Sequence, residues 1–260
     1  MSKKKQESSV PEKRNEEPTA LPVLYEGDAG VGFEKTTSDD YALPFLKLLQ
    51  KMSPEVDPDS GAHVDGARPG MYYDTATGEL LESVDFIPCY YHRAIVEWHD
   101  REEGGGFVAQ HEPGYEQKFQ RSDKGGRWIT PEGTYLADTR YFFGLRLKNG
   151  GDVTHDVISF GSTQIKKSRA WLTRMQALKF TRSDNSRATL PIFAHVWRLT
   201  SIPEENDKGS WRGYKVDLVG PISDTNLIRA AKEAHDMFRD AAARFRPPAG
   251  TTPSESDVPF

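Results

Sequence analysis

The chain has 260 residues, a formal net charge of −5 and a single cysteine. This length is enough for one sizeable core with tails. The single Cys89 excludes an internal disulfide framework and a cysteine-based zinc site, and no apolar run is long enough to span a membrane. We therefore expect a cytoplasmic protein with one folded domain and tails.

The charge is unevenly distributed along the chain. Residues 1–40 carry an acidic excess, whereas residues 41–246 carry equal numbers of each sign. Within this neutral part, the stretch from residue 164 to residue 187 contains one acid, Asp184. Its cations are Lys166, Lys167, Arg169, Arg174, Lys179, Arg182 and Arg187. This segregation predicts one electropositive surface.

Residues 1–38 are rich in Lys, Glu, Ser, Pro and Gly, and they show no regular apolar period. Such a composition cannot offset the entropy of ordering, so we expect disorder here. The apolar residues 41–49 fit either a helix or a strand, because Pro44 weakens a helix. Residues 71–73 and 80–83 flank a turn-rich insert and predict a hairpin.

The middle of the chain predicts strands. A long β-like run covers residues 86–99, and a polar connection over 100–133 contains short strands near Phe107 and Trp128. Runs at 135–148 and 152–160 are joined by Asn149, Gly150 and Gly151, a strong hairpin signal. Ser162 or Thr163 is expected to cap a helix that ends near Leu178. Two more strands follow at 190–200 and 211–219, separated by a loop over 202–210.

The order of these elements is three strands, a helix and two strands. It predicts a mainly β protein with an OB-fold-like five-stranded barrel, N-terminal additions, a helix after the third strand and a C-terminal helix. The last helix is the clearest, because Ser223 or Asp224 caps it and an apolar stripe runs to Phe245. The expected segments are a disordered tail (1–38), the OB-like domain (39–222), the helix (223–246) and a flexible tail (247–260).

The chain ends in Asp257, Val258, Pro259 and Phe260, preceded by Ser254, Glu255 and Ser256. An acidic tail that closes on Pro-Phe resembles the C-terminal tip of bacterial and phage single-stranded DNA-binding proteins. This resemblance implies a protein that coats single strands during replication, recombination or repair. It also implies that these last four residues recruit a polymerase, helicase, nuclease or recombinase, and that a homo-oligomer can form.

Sequence-independent binding of single strands needs cations for the phosphates and rings on which bases stack. On the strand at 139–148, a period of two places Tyr141, Phe143, Leu145 and Leu147 on a core face and the intervening residues on an exposed face. The expected DNA-binding residues are Arg140, Phe142, Arg146, Lys148, Lys166, Lys167, Arg169, Arg174, Lys179, Arg182, Trp128 and Trp211.

Two other functions are compatible with the same residues. A single-strand annealing recombination protein would share the basic surface. A metal-dependent nuclease would use acids and histidines such as His92, Glu97 and His99, but His92 and His99 are seven residues apart and point to opposite faces of a strand. We therefore expect no catalytic residue, no metal and no cofactor.

Overall fold

The computed structural model of the protein describes residues 27–28, 31–36, 43–100, 105–122, 126–207 and 209–247. The chain divides into two compact units, Met1–Ala42 and Leu43–Phe260. In the first unit, residues 31–36 form turns, closed by hydrogen bonds from Val31 N to Asp28 O and from Thr36 N to Phe33 O.

The second unit is mainly β-structure, as predicted. Its described residues form twelve strands and two α-helices. The strands are β1 Leu46–Leu48, β2 Tyr72–Asp74, β3 Leu80–Leu81, β4 Val84–Trp98, β5 Phe107–His111, β6 Trp128–Ile129, β7 Tyr135–Leu147, β8 Val153–Gly161, β9 Lys179–Thr181, β10 Arg187–Thr189, β11 His195–Asn206 and β12 Gly209–Pro221. The helices are α1 Ile165–Ala177 and α2 Thr225–Ala241.

Several local predictions are confirmed. The segment at 41–49 contributes strand β1, and β2 pairs with β3 as the predicted hairpin. β7 pairs with β8 from Thr139 and Gly161 to Leu147 and Val153. Gly150 and Gly151 make the connecting turn at φ values of 91° and 92°, a backbone region that side chains other than glycine rarely adopt.

The main sheet follows a Greek-key order. β4, β7 and β8 are consecutive antiparallel neighbours, and β11 returns by a long connection to pair with the start of β4. β12 then pairs with β11 along its length, which gives the order β12-β11-β4-β7-β8. Apart from the short strands β5 and β6, three successive strands lie side by side and the fourth lies beside the first, which is the Greek-key order.

The predicted barrel is not closed. Among the described residues, β8 and β12 form no strand pair. The segment at 44–50 contacts both strands instead: Pro44 O accepts from Val157 N of β8 at 2.9 Å, and the Gln50 side chain bonds to β12. Gln50 Oε1 accepts from Arg212 N at 2.8 Å, and its Nε2 donates to Arg212 O at 3.0 Å. An amide side chain therefore takes the position of a paired strand at this edge.

The sheet is buried on both of its faces. On one face, Tyr141 and Phe143 pack with α2, which buries Ala231, Ala234 and Phe238. On the other face, Phe142 and Phe160 pack with α1, whose Trp171 ring lies 4.3 Å from that of Phe142. The predicted apolar stripe of the last helix therefore packs on the sheet.

Three predictions about where helices and strands begin or end were wrong. Neither Ser162 nor Thr163 caps α1, because residues 162–164 form a 3-10 turn that leads directly into the helix. The predicted loop at 202–210 is shorter than expected, because β11 and β12 remain paired from Ile202 and Gly213 to Asn206 and Gly209. The start of the fourth predicted strand, at 192–194, is a 3-10 turn.

The last helix begins at the predicted position. Asp224 caps α2 as predicted, with its carboxylate accepting from Asn226 N at 2.7 Å and Leu227 N at 2.9 Å. Among the described residues, no helix is both long and apolar enough to cross a bilayer.

Arg146 of β7, predicted to face DNA, lies instead in a buried ion cluster. Its guanidinium donates to Asp74 at 2.6 Å, to Glu79 at 2.6 Å and to Asp156 at 2.9 Å. Asp74 and Asp156 have no exposed side-chain surface, and burial raises the pKa of Asp156 even beside Arg146. The prediction failed because a period of two does not reveal that both faces are covered.

Replacing Arg146 by Met should lower the free energy of unfolding by about 3–5 kcal/mol, because two buried carboxylates lose their counter-charge. Urea denaturation at pH 7 measures this loss, and part of it should be recovered at lower pH as Asp156, whose pKa burial raises, becomes protonated. Arg198→Met is the matched control: its exposed pair with Asp85 is screened by solvent and should contribute much less. Equal losses in the two variants would contradict this assignment.

Candidate nucleic-acid interface

The solvent face of α1 carries exposed cations. Trp171, Ser168 and Met175 are its buried residues, whereas Lys166 and Arg169, three positions apart, lie on the opposite face and are exposed. In the described part of the chain, neither cation forms an ion pair with a carboxylate. Their charge is therefore available to a ligand.

A small hairpin extends this positive region. β9 and β10 pair only with each other among the described strands, and the backbone N–H of Arg182 donates to Ser186 O at 2.8 Å at the turn. The hairpin adds Lys179, Arg182 and Arg187, all exposed and without an ion pair in the described residues. The sequence offered a signal for it, a polar Asp-Asn-Ser turn between short runs.

We call these five exposed cations the basic surface: Lys166, Arg169, Lys179, Arg182 and Arg187. One acid lies within it, at the turn of the hairpin. Asp184 accepts from Ser186 N at 2.9 Å, and hydrogen bonding from Ser186 lowers the pKa of this carboxyl below its usual value. Its negative charge therefore persists at neutral pH and opposes that of its neighbours.

Two cations of the predicted set have structural roles instead. Lys167 Nζ lies 2.7 Å from Glu204 Oε1, and a Cβ at Gly213 would overlap this pair, so a glycine is needed there. Arg174 places its guanidinium 4.9 Å from the Trp197 ring and donates to Val216 O at 2.5 Å. Both residues fasten α1 to the β11–β12 hairpin.

The two predicted stacking residues are half-buried and already make contacts. Arg121 lies over the ring of Trp128, 4.3 Å from its centroid. The indole N–H of Trp211 donates to Glu204 Oε2 at 2.9 Å. Trp211 therefore belongs to the Lys167–Glu204 contact, whereas Trp128 belongs to a second cluster in the connection between β4 and β7.

This second cluster alternates rings and cations, and Trp128 is the one member that was predicted from the sequence. The Tyr115 ring stacks on His111 at 3.7 Å and has Lys118 over it at 4.5 Å. Phe119 packs on Tyr115 at 5.3 Å. We call it the aromatic loop cluster: Tyr115, Lys118, Phe119, Arg121 and Trp128. The pattern of rings beside cations at 115–128 was the available signal.

A family model described as Pam3 phage gp34-like protein matches residues 13–244. The chain belongs to this family. The family is one of phage proteins, in agreement with the phage character that the C-terminal tip implied. No curated protein and no solved structure matches the chain.

The remaining predicted contacts on β7 are not on an exposed face. Phe142 is fully buried between Trp171 and Phe160. Arg140 is 6% exposed and donates to Asp138 at 3.3 Å. Lys148 is half-buried, with Nζ 3.8 Å from Glu79. These side chains therefore do not form the exposed face that was predicted on this strand, because α1 packs on Phe142 and carboxylates enclose Arg146.

The tip residues Asp257, Val258, Pro259 and Phe260 lie outside the described residues. Within the described ranges, no group of three or more His, Cys, Asp or Glu side chains is arranged to hold a metal ion. His92, one candidate of the nuclease alternative, contacts Gln110 Nε2 at 3.1 Å, and burial lowers its pKa. Glu97 contacts His111 at 2.7 Å instead.

Lys167→Met should raise the pKa of Glu204. Burial raises this pKa, but hydrogen bonds from Lys167, Gln164 and Trp211 outweigh it, so it lies below 4.5. A lowered pKa means that Glu204 stabilises the fold above about pH 4.5, and this contribution is lost as the pH falls through the folded value. Carboxyl ¹³C NMR titration measures the change. Lys166→Met should leave the pKa of Glu204 unaltered, and an equal shift would contradict the assignment.

Proposed function

We propose that this protein binds single-stranded DNA without sequence preference and coats strands exposed during phage replication, recombination or repair. The observation that carries the proposal is the basic surface: five exposed cations on one short segment, free of carboxylate partners in the described residues. Phosphates that replace condensed counterions at such a surface gain affinity from counterion release. A chain of net charge −5 needs this concentration of cations to bind a polyanion.

Several cations elsewhere in the fold are paired with carboxylates, unlike those of the basic surface. Arg93 pairs with Asp138, Arg146 with its carboxylates, and Lys215 with Asp217. These cations stabilise strands and have little charge left for a ligand. The exposed side of α1 and the hairpin that follows it instead bring five cations without a carboxylate partner in the described residues into one short segment.

We further propose that the sheet is an open form of the OB fold. The Greek-key order β11-β4-β7-β8, with α1 after the third strand and β12 beside β11, supports this relationship. The edge between β8 and β12 is filled by the segment at 44–50 in place of a direct strand pair.

The usual OB ligand face is covered here. OB folds bind oligonucleotides on their second and third strands, which correspond to β7 and β8. α2 lies over these strands, with the Phe238 ring 5.4 Å from Phe143 and 5.6 Å from His155. We therefore place the DNA path on the opposite side, along α1 and the β9–β10 hairpin.

The aromatic loop cluster supplies rings for the same function. Stacking on aromatic side chains contributes roughly 1–3 kcal/mol per base. Phe119 and Trp128 are half-buried, and Arg121 lies over the Trp128 ring. The acidic Pro-Phe tip would recruit replication or recombination enzymes, a proposal that its resemblance to single-stranded DNA-binding proteins supports.

Fluorescence anisotropy with labelled oligo-dT in EDTA, over a series of salt concentrations, tests the binding. Replacing Lys166, Arg169 and Arg182 together by Gln should reduce the slope of log K against log salt by about 0.7 for each lost phosphate contact. Lys215→Gln, which removes an exposed cation paired with Asp217 at 2.9 Å, should leave the slope unchanged.

Three outcomes would count against the proposal. Failure of the wild-type protein to bind oligo-dT excludes it. Equal affinity for a matched duplex removes the preference for single strands. Degradation of the probe when Mg²⁺ replaces EDTA would favour the nuclease instead.

Asp184→Asn should tighten oligo-dT binding several-fold at low salt, with a smaller effect at high salt, because it removes the negative charge within the basic surface. An Asn side chain can still accept from Ser186 N, so the turn should persist. The same anisotropy assay measures the effect. Asp217→Asn is the control, because that carboxylate pairs with Lys215 on β12, and its effect should be smaller. Equal effects would show that only net charge matters.

A further inference from the structure

Phe180 of β9 differs from the other Phe, Tyr and Trp rings that the structure describes in its unit. Its exposure is 41%, and it is the one Phe, Tyr or Trp among the described residues of 43–247 that is exposed rather than buried or half-buried. In the sequence, the ring lies between Lys179 and Arg182, two cations of the basic surface. An exposed aromatic side chain at such a place has the chemistry of a stacking platform.

The hairpin keeps one side of this ring clear. Phe180 lies directly opposite Ala188, whose methyl group is too small to cover it. Because side chains alternate, Phe180, Arg182 and Ala188 share one face, and Lys179 and Arg187 lie on the other. Arg182 follows Phe180 by two residues, about 7 Å along the strand. A ring and a guanidinium are thus presented side by side.

The hairpin is also held in a defined shape. Leu190 N donates to Leu178 O at 3.1 Å at its base, and Lys179 Nζ donates to Thr189 Oγ1 at 2.5 Å across the strands. At the turn, Asn185 N donates to Arg182 O at 3.0 Å. A fixed hairpin loses little entropy on binding, which favours stacking over a transient contact.

We propose that this face of the hairpin is a base-stacking site, at which an unpaired nucleobase lies on Phe180 while Arg182 contacts an adjacent phosphate. The inference rests on the proposed function and deepens it. It assigns part of the selectivity for single strands to one side chain, because bases within a duplex are already stacked on their neighbours and cannot lie on this ring.

The test compares oligo-dT with an abasic strand of equal length and charge. Phe180→Ala in the full chain should weaken oligo-dT binding about 5- to 150-fold, which corresponds to 1–3 kcal/mol at 1.4 kcal/mol per factor of ten. The same substitution should change binding of the abasic strand less than twofold. The salt slope should remain as in the wild-type protein, because no cation is removed.

Phe180→Trp and Phe180→Leu separate stacking from simple apolar packing. Trp should retain the oligo-dT affinity, and Leu should behave like Ala. Equal thermal stability of the variants excludes loss of the fold as the cause. Equal weakening of Phe180→Ala on both strands, or full affinity in the Leu variant, would overturn the stacking site while leaving the proposed function intact. Absence of oligo-dT binding by the wild-type protein would overturn both.

Discussion

The burial of β7 on both faces determines what the rest of the molecule can do. Trp171 of α1 stacks on Phe142 from one side, and Phe238 of α2 packs on Phe143 from the other. A strand enclosed in this way can carry polar side chains only if they are paired, as Arg146 is. Any ligand surface must then lie on what covers the sheet, and the basic surface occupies the outer side of α1 and its hairpin.

The distribution of acids decides which cations are available. Some cations that support a contact between elements are paired with a carboxylate, as Lys167 is with Glu204. The side chains of Arg169 and Arg182 hold no two elements together, and their charges face solvent without a carboxylate partner among the described residues. Two neighbouring lysines, Lys166 and Lys167, therefore differ in role although the sequence presents them as equivalent.

Local patterns predicted most elements, because turn residues and the period of apolar side chains depend only on residues close together in the sequence. The β7–β8 hairpin and the Asp224 cap are examples. The predictions that failed concerned features that depend on residues far apart in the sequence. The burial of Phe142 and Arg146 requires α1, Asp74 and Asp156, and the open edge of the sheet depends on Gln50 meeting Arg212, 162 residues away. Similarly, the exposure of Phe180 follows from a hairpin that pairs with no other described strand.

The segment at 44–50 has a consequence for how the chain acquires its structure. It is among the first parts of this unit to leave the ribosome, yet its partners Val157 and Arg212 are made much later. The sheet edge therefore cannot be completed during synthesis until β12 has emerged. Contacts between residues this far apart in the sequence slow folding. Until these contacts have formed, the edges of β8 and β12 stay open to pairing with other chains. A truncation that removes these seven residues would make that exposure permanent.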